Sequence, residues 1–402
     1  MSGGSRTVPA VLAPYRDLLA TPGGKVFSGA AFVARLPIAM IGLGIVLLVV
    51  STEDRYGLAG AVSATFALVN AVAAPVIARF VDRLGQTRVL APAVALYAGF
   101  LALFVVLVSV GAPVWSYFLT AAGAGVFAPS IGSLVRARWG YVLGSSPRLT
   151  TAYAYESVLD EVIFVLGPLL VTVLATKVAP QAGLLAAVVF VVAGSAFLLA
   201  HRASEPPART ADDEEHPSAL RSPGLGLLML AMAFIGGVFG SVEISTVAFA
   251  DHTGRAGLAG PLLACYAGGS ATSGLIFGAV HWTVSARRRL MFGAATMTVT
   301  VVTLPFVDSM AALAAFLFLA GVGIAPTLIS GFSLVERMVP EGTVTEGLTW
   351  ATTGLIVGFS AATWLSGRLV DDAGVSEAFT VAIGSGLLAL VVSLLGYRKL
   401  PR

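Results

Sequence analysis

The 402-residue sequence predicts an all-α integral membrane protein, with twelve transmembrane helices in two pseudo-symmetric six-helix bundles. Three observations carry that expectation. Hydrophobic residues make up 57% of the chain and charged residues only 11%, too few to keep a water-facing surface, so most of the exterior must meet lipid. Apolar runs of roughly 20 residues, the length a spanning helix needs, recur along the whole chain. The chain also repeats itself. Residues 122–138 read AGAGVFAPSIGSLVRAR and residues 320–337 read AGVGIAPTLISGFSLVER, so Ser133-Leu134-Val135 is answered by Ser333-Leu334-Val335. A small-residue, proline-bearing apolar segment at matched places in two halves points to a duplicated membrane transporter. Gly123, Gly125 and Pro129 in the first copy, and Gly321, Gly323 and Pro326 in the second, are the expected bending points, together with Gly167-Pro168 in the fifth span.

The predicted spans fall near 27–50, 57–79, 89–111, 113–138, 149–176, 180–201, 223–250, 257–282, 290–308, 311–335, 345–369 and 375–397. Links such as Val110–Pro113 are so short that neighbouring spans must be antiparallel. With the N-terminus in the cytoplasm, only Arg55, Lys177, Arg255 and Arg368 of the 24 basic residues fall outside and Arg35 falls within a span. The other basic residues are cytoplasmic, as the positive-inside rule requires, so both termini are expected inside. Residues 202–222, RASEPPARTADDEEHPSALRS, read as a flexible cytoplasmic linker. It divides the chain into an N-terminal bundle (1–201) and a C-terminal bundle (223–402). Residues 8–20 read either as a short amphipathic helix on the inner membrane surface or as a disordered tail.

Other classes of function find no support. The basic residues sit in short loops and build no phosphate-tracking patch, so nucleic acid is not an expected partner. Cys265 is the only cysteine, and no His or Cys spacing suits a metal. There is no Walker-type loop and no catalytic constellation. Neither an enzyme activity nor a cofactor is expected.

The loop after the second span, ARFVDRLGQTRVL, resembles the G-x-x-x-D-R-x-G-R-[RK] signature of the major facilitator superfamily. Asp82, Arg83 and Gly85 fit. Ala78 replaces the leading glycine, Gln86 replaces an arginine, and Arg88 carries the basic charge slightly later. Six plus six spans, a polar linker and a parallel repeat extend the resemblance over nearly the whole chain. It implies alternating access, a small-molecule substrate, protons as coupling ion, monomeric function in the bilayer, and a cytoplasmic gate in which Asp82 approaches residues 343–346 and Glu346. A degenerate second copy keeps Gly278 and Arg288 but has Trp282 and Thr283 at the Asp-Arg positions. RLPIAM in span 1 and ESVLDE in span 5 resemble bacterial efflux-type permeases, which implies the bacterial cytoplasmic membrane. Gly167-Pro168 matches part of a drug/proton antiporter motif, although Val171 and Thr172 replace its later glycines.

A charge inside a bilayer costs at least about 2.5–3.5 kcal/mol, so each one needs an explanation. Arg35 lies within span 1, and span 5 carries Glu156, Asp160 and Glu161 at a similar depth. Arg35 is expected to pair with Asp160, Glu161 or both. Three acids against one base would leave surplus negative charge, which makes Asp160 and Glu161 candidate proton carriers, with Glu156 nearer the inner mouth. The alternative is a static network locking spans 1 and 5 together. Glu243, late in span 7 toward the outer side, is a further candidate for cargo or proton binding or for an outer gate, the alternative being a water-facing structural acid. Asn70, Tyr155, Tyr266 and Trp350 are candidate cavity residues, and His281 reads as interfacial. Export coupled to inward proton flow is the expected mode. Coupled uptake or facilitated diffusion of a metabolite is the alternative, and a non-transporting receptor or partner subunit is a third, from a different class.

Overall fold

A computed structural model describes residues 13–144, 146, 148–208, 219–279, 284–339 and 344–396. Lipid offers backbone groups no hydrogen-bond partner, so spanning segments must satisfy their own, and the described residues contain helices and no strand. A short α1 (Ala13–Leu19) precedes span 1, which is built from α2 (Gly24–Arg35), a 3-10 turn (Leu36–Ala39) and α3 (Ile41–Glu53). Spans 2 and 3 are α4 (Tyr56–Leu84) and α5 (Gln86–Ser109). Span 4 is α6 (Trp115–Phe127) plus α7 (Ile131–Leu143), and spans 5 and 6 are α8 (Arg148–Lys177) and α9 (Ala182–Ala200). The second half follows with α10 (Leu225–His252), α11 (Ala259–Ala279) and α12 (Ala286–Val301). Span 10 is α13 (Met310–Val322) plus α14 (Ile324–Met338), and spans 11 and 12 are α15 (Val344–Asp372) and α16 (Val375–Gly396). Among the described residues ten spans are long and apolar enough to cross a bilayer, and span 1, bent by 41°, makes an eleventh. The twelfth, α11, is diluted by Gly268, Gly269, Ser270, Thr272 and Ser273.

The expected bends take different forms. Pro129 interrupts span 4 outright, and Ala128 before it is extended (ψ 120°), as the residue before a proline prefers. Its counterpart Pro326 lies in the first turn of α14, where a missing N–H costs little, so that span turns at Gly323 instead. Gly167-Pro168 does not interrupt α8. Gly167 instead admits the turn of span 1, because a Cβ there would lie 3.0 Å from the Ala39 carbonyl. Gly125 similarly faces the Phe66 carbonyl, and Gly321 the Tyr266 carbonyl. These glycines serve close packing.

α1 packs on protein rather than on the membrane surface. Leu18 is fully buried, the Tyr15 ring lies 6.3 Å from that of Tyr155, and Arg148 donates to Thr21 Oγ1 at 2.8 Å. In the second half, α10 and α15 each carry a small-xxx-small pair, Gly236/Gly240 and Gly354/Gly358. Gly236 meets the Leu355 backbone and Gly240 the Phe359 carbonyl, while Gly354 meets Met229 and Gly358 meets Ala233.

The two halves touch through α4 with α15, α8 with α11, and α10 with α3 and α4. The glycines of this seam lie toward the end away from the termini. A Cβ on Gly60 would stand 2.6 Å from the Thr363 carbonyl, one on Gly367 would stand 2.6 Å from that of Tyr56, and Gly260 lies against Pro168 and Thr172. Along α4 the burial changes accordingly: Ala59 and Val62 are fully buried, whereas Val76 and Phe80 are 48% and 52% exposed. The far end is closed by close backbone contacts between the halves. Replacing Gly260 with Leu should therefore wedge the far end apart. In a Cys265→Ser background, spin labels at Thr52 and Thr253 should report a longer distance in Gly260→Leu; an unchanged distribution would contradict the seam described.

Candidate functional site

Span 1 leaves the α-helical path immediately after Arg35, and that residue anchors the site. Its side chain is 2% exposed, and every nitrogen of the guanidinium has a partner. Nε donates to the Ala31 carbonyl at 3.2 Å, Nη1 to Asp160 Oδ1 at 2.6 Å, and Nη2 to Glu156 Oε2. Glu156 is fully buried and also accepts from Ser28 Oγ at 2.6 Å and Trp139 Nε1 at 2.7 Å. The second oxygen of Asp160 accepts from Arg136 Nη2 at 2.7 Å.

The network thus joins spans 1, 4 and 5 with two cations and two anions, and the expected excess of negative charge within it is absent. Arg136 supplies the missing charge. Glu161 stands outside: one residue beyond Asp160 turns a side chain by about 100°, and the partly buried carboxylate has no ion pair or hydrogen bond among the described residues. Glu156 is held at the centre of the network rather than at a mouth. A signal for Arg136 was present in the sequence. Arg136 and Trp139 are i, i+3 on α7, and Glu156 and Asp160 are i, i+4 on the antiparallel α8, so the two faces pair rung by rung.

Both helix breaks border one small cavity of about 100 Å³, lined by Arg35, Ile41, Phe66, Asn70, Tyr97 and Pro129. It is polar on the Arg35 and Asn70 side and has room for a small cluster of waters. Asn70 lines it and donates to the Gly125 and Ala128 carbonyls at 3.2 and 3.4 Å, capping the end of α6. Tyr155 is occupied with Tyr15, and Trp350 is half-buried in α15. Tyr266 is buried edge-on to Phe239 at 6.3 Å, and its hydroxyl has no partner among the described residues, as is also true of the Ser245 and Thr246 hydroxyls on α10.

Glu243 lies on the seam between the halves. Its Oε1 is 3.4 Å from where a Cβ on Gly42 of span 1 would stand, with Ser63 Oγ of span 2 beside that same point. Among the described residues this carboxylate has no ion pair or hydrogen bond.

At the terminal end, Gly85 closes α4 with φ 89°, which its lack of a Cβ permits. Arg83 and Arg88 are exposed. The side chains of Asp82 and Glu346, residues 340–343, and His281, Trp282 and Thr283 lie outside the described residues, as does the expected approach of Asp82 to residues 343–346. The departure at Gln86 has a structural reason. Gln86 is buried, accepts from Arg138 Nε at 2.8 Å and donates to the Leu134 carbonyl at 3.2 Å. Arg138, itself fully buried, also donates to the Leu198 and His201 carbonyls and Ser204 Oγ, each at 2.9 Å. An arginine at position 86 would set a second buried cation beside it.

The described residues form a helical membrane protein whose two halves meet along a seam, with a paired buried arginine in the first half. The chain belongs to the Major Facilitator Superfamily, whose family model matches residues 27–307, and secondary transport is the function this family supports. Among solved structures, the nucleoside transporter NupG is similar with TM-score 0.69 at 12% identity, covering 93% of this chain and 98% of that one. An auto-inhibited peptide transporter of the POT family gives TM-score 0.65 at 13% identity, with 94% and 97% covered. The human organic anion transporter MFSD10 gives TM-score 0.65 at 14% identity, with 92% and 99% covered. At such identities the likeness establishes the fold. No protein of curated function matches the sequence.

Removing Arg35 should be costly. An Arg35→Met protein buries Glu156 without its cation, and breaking a buried pair costs about 3–5 kcal/mol. Arg136→Ala removes a pair whose members are 32% and 31% exposed, and should cost no more than about 1 kcal/mol. Thermal unfolding of the purified variants in one detergent checks the order; equal destabilisation would contradict it.

Proposed function

We propose that this protein exports a small organic molecule in exchange for protons by alternating access, and that Glu243 carries the proton. The observation behind this reading is the contrast between its acids. Glu156 and Asp160 are clamped by arginines and serve best as fixed anions that hold spans 1, 4 and 5 in register. Glu243 is a seam carboxylate facing Gly42 and Ser63 of the opposite half, with no ion pair among the described residues. Closing the far seam around a charged carboxylate removes it from water at a cost of several kcal/mol, whereas the neutral acid closes more readily. Proton binding on the outer side would therefore favour closure there, and release to the inner side would favour reopening. Glu161, also outside the arginine network, is the second candidate.

A second reading, coupled uptake or facilitated diffusion of a polar metabolite, draws on the unpartnered hydroxyls of Ser245, Thr246 and Tyr266. Such groups would suit a cargo rich in hydroxyls, such as a sugar or a nucleoside, the latter being the cargo named for NupG.

The test is accumulation of a panel of drugs and dyes in efflux-deficient bacteria, with and without a protonophore. Wild type should extrude at least one compound in a protonophore-sensitive manner. Glu243→Gln should lose most of that proton dependence while remaining folded, and Asp160→Asn should mainly lower folded yield. Full proton dependence in Glu243→Gln would remove Glu243 from the mechanism and turn attention to Glu161. A wild type matching empty vector for every compound would favour the uptake reading, to be followed with labelled sugars and nucleosides.

A further inference from the structure

α4 and α15 run antiparallel across the seam and end alike. α4 closes on Val81-Asp82-Arg83-Leu84-Gly85 and α15 on Val370-Asp371-Asp372-Ala373-Gly374, a shared V-D-x-x-G. Both glycines have positive φ, 89° and 121°. The first copy is the signature loop, which the family resemblance assigns to the terminal-end gate. The second copy lies at the opposite end of the bundle.

The geometry of Asp371 gives that copy a role. Its Oδ1 accepts from the Tyr56 backbone N–H at 2.8 Å and its Oδ2 from that of Gly57 at 2.7 Å. These are the first two residues of α4; their N–H groups have no partner inside the helix and lie at the positive end of its dipole. The Tyr56 hydroxyl donates to Asp251 Oδ2 at 2.9 Å, at the end of α10. One first-half helix start is thus held by carboxylates from two second-half helices. Gly57 is part of the fit, since a Cβ there would stand 2.9 Å from Asp371 Oδ2. Asp371 is exposed as a residue, and a solvent-facing cavity of about 480 Å³, lined by Asp54, Arg55, Trp364 and Arg368, adjoins it. Water is at hand to solvate both partners when the contact parts.

We propose that Asp371 is the far-end counterpart of Asp82: a carboxylate at the end of span 11 that keeps the far gate shut by capping span 2, and that lets go when the far end opens. The proposal rests on the alternating-access reading and assigns its second latch. The same two helices are latched at one end by the acid of α15 and at the other, in the opposite state, by the acid of α4.

The test measures the distance between spin labels at Thr52 and Thr253 in a Cys265→Ser background, in lipid nanodiscs without cargo or proton gradient. Failure of the export reading therefore leaves this measurement interpretable. Asp371→Ala should shift the closed-to-open ratio by about tenfold or more, the scale of a lost charge-assisted hydrogen bond. Asp371→Asn, which keeps one acceptor oxygen of two, should fall between. Asp372→Ala, one residue on and paired only with exposed Arg368 at 3.4 Å, should leave the ratio unchanged. If Asp371→Ala does not fold, Tyr56→Phe carries the test and should move the ratio the same way by a smaller factor. Unchanged distances in the folded variants, or an equal shift in Asp372→Ala, would overturn the proposal.

Discussion

A guanidinium cannot be deprotonated to escape a low-dielectric environment, so Arg35 must be surrounded by acceptors. Much of the first half follows from that need. Span 1 breaks right after Arg35 into a 3-10 turn, and Gly167 of α8 lets that turn approach. Span 5 brings two carboxylates one helical turn apart, and span 4 breaks at Pro129 and presents Arg136 and Trp139 toward them. Each feature is a modest departure from a plain apolar helix, and together they close a charge-balanced set. A second buried arginine, Arg138, is handled differently: its partners are carbonyls, a hydroxyl and Gln86, neutral groups that tie spans 3, 4 and 6 at the terminal end.

The second half is assembled by another rule. Between apolar helices in lipid there is no hydrophobic gain from association, so backbones approach through small residues. The glycine pairs of α10 and α15 are that device, and Gly269 and Gly321 repeat it between α11 and α13. The first half also packs closely at Gly125, Gly167 and Gly194, and adds to that packing the buried arginine network.

The halves meet through two kinds of contact, close backbone packing at Gly60, Gly260 and Gly367 and polar contacts at the rim. Asp371 with the start of α4, and Tyr56 with Asp251, are charged or polar contacts at the aqueous rim, where water compensates the partners on separation. The Arg35 network lies where water is scarce and separation would be expensive. The most deeply buried charges thus pair within one half, while the charged contacts between the halves lie at the rim.

How much of this was legible in the sequence follows from the range of each interaction. Spanning helices depend on local apolar length, so composition and run length alone determined the helical membrane fold, and the 122–138 and 320–337 repeat with the 78–90 loop pointed to the family. The pairing of Arg35 with span 5 was legible because a buried arginine has few possible partners. What only the tertiary structure decided was which carboxylates it takes and what else joins them. Glu161 and Asp160 are neighbours in sequence yet face apart by helical rotation, and Arg136 reaches the site because span 4 breaks at Pro129. The matched prolines act differently, one outside a helix and one in a first turn. The seam at Gly60, Gly260 and Gly367, the place of Glu243 on it and the cap by Asp371 all arise from residues far apart in the sequence brought within a few ångströms. No local pattern encodes such contacts, because they depend on how two separately formed halves meet.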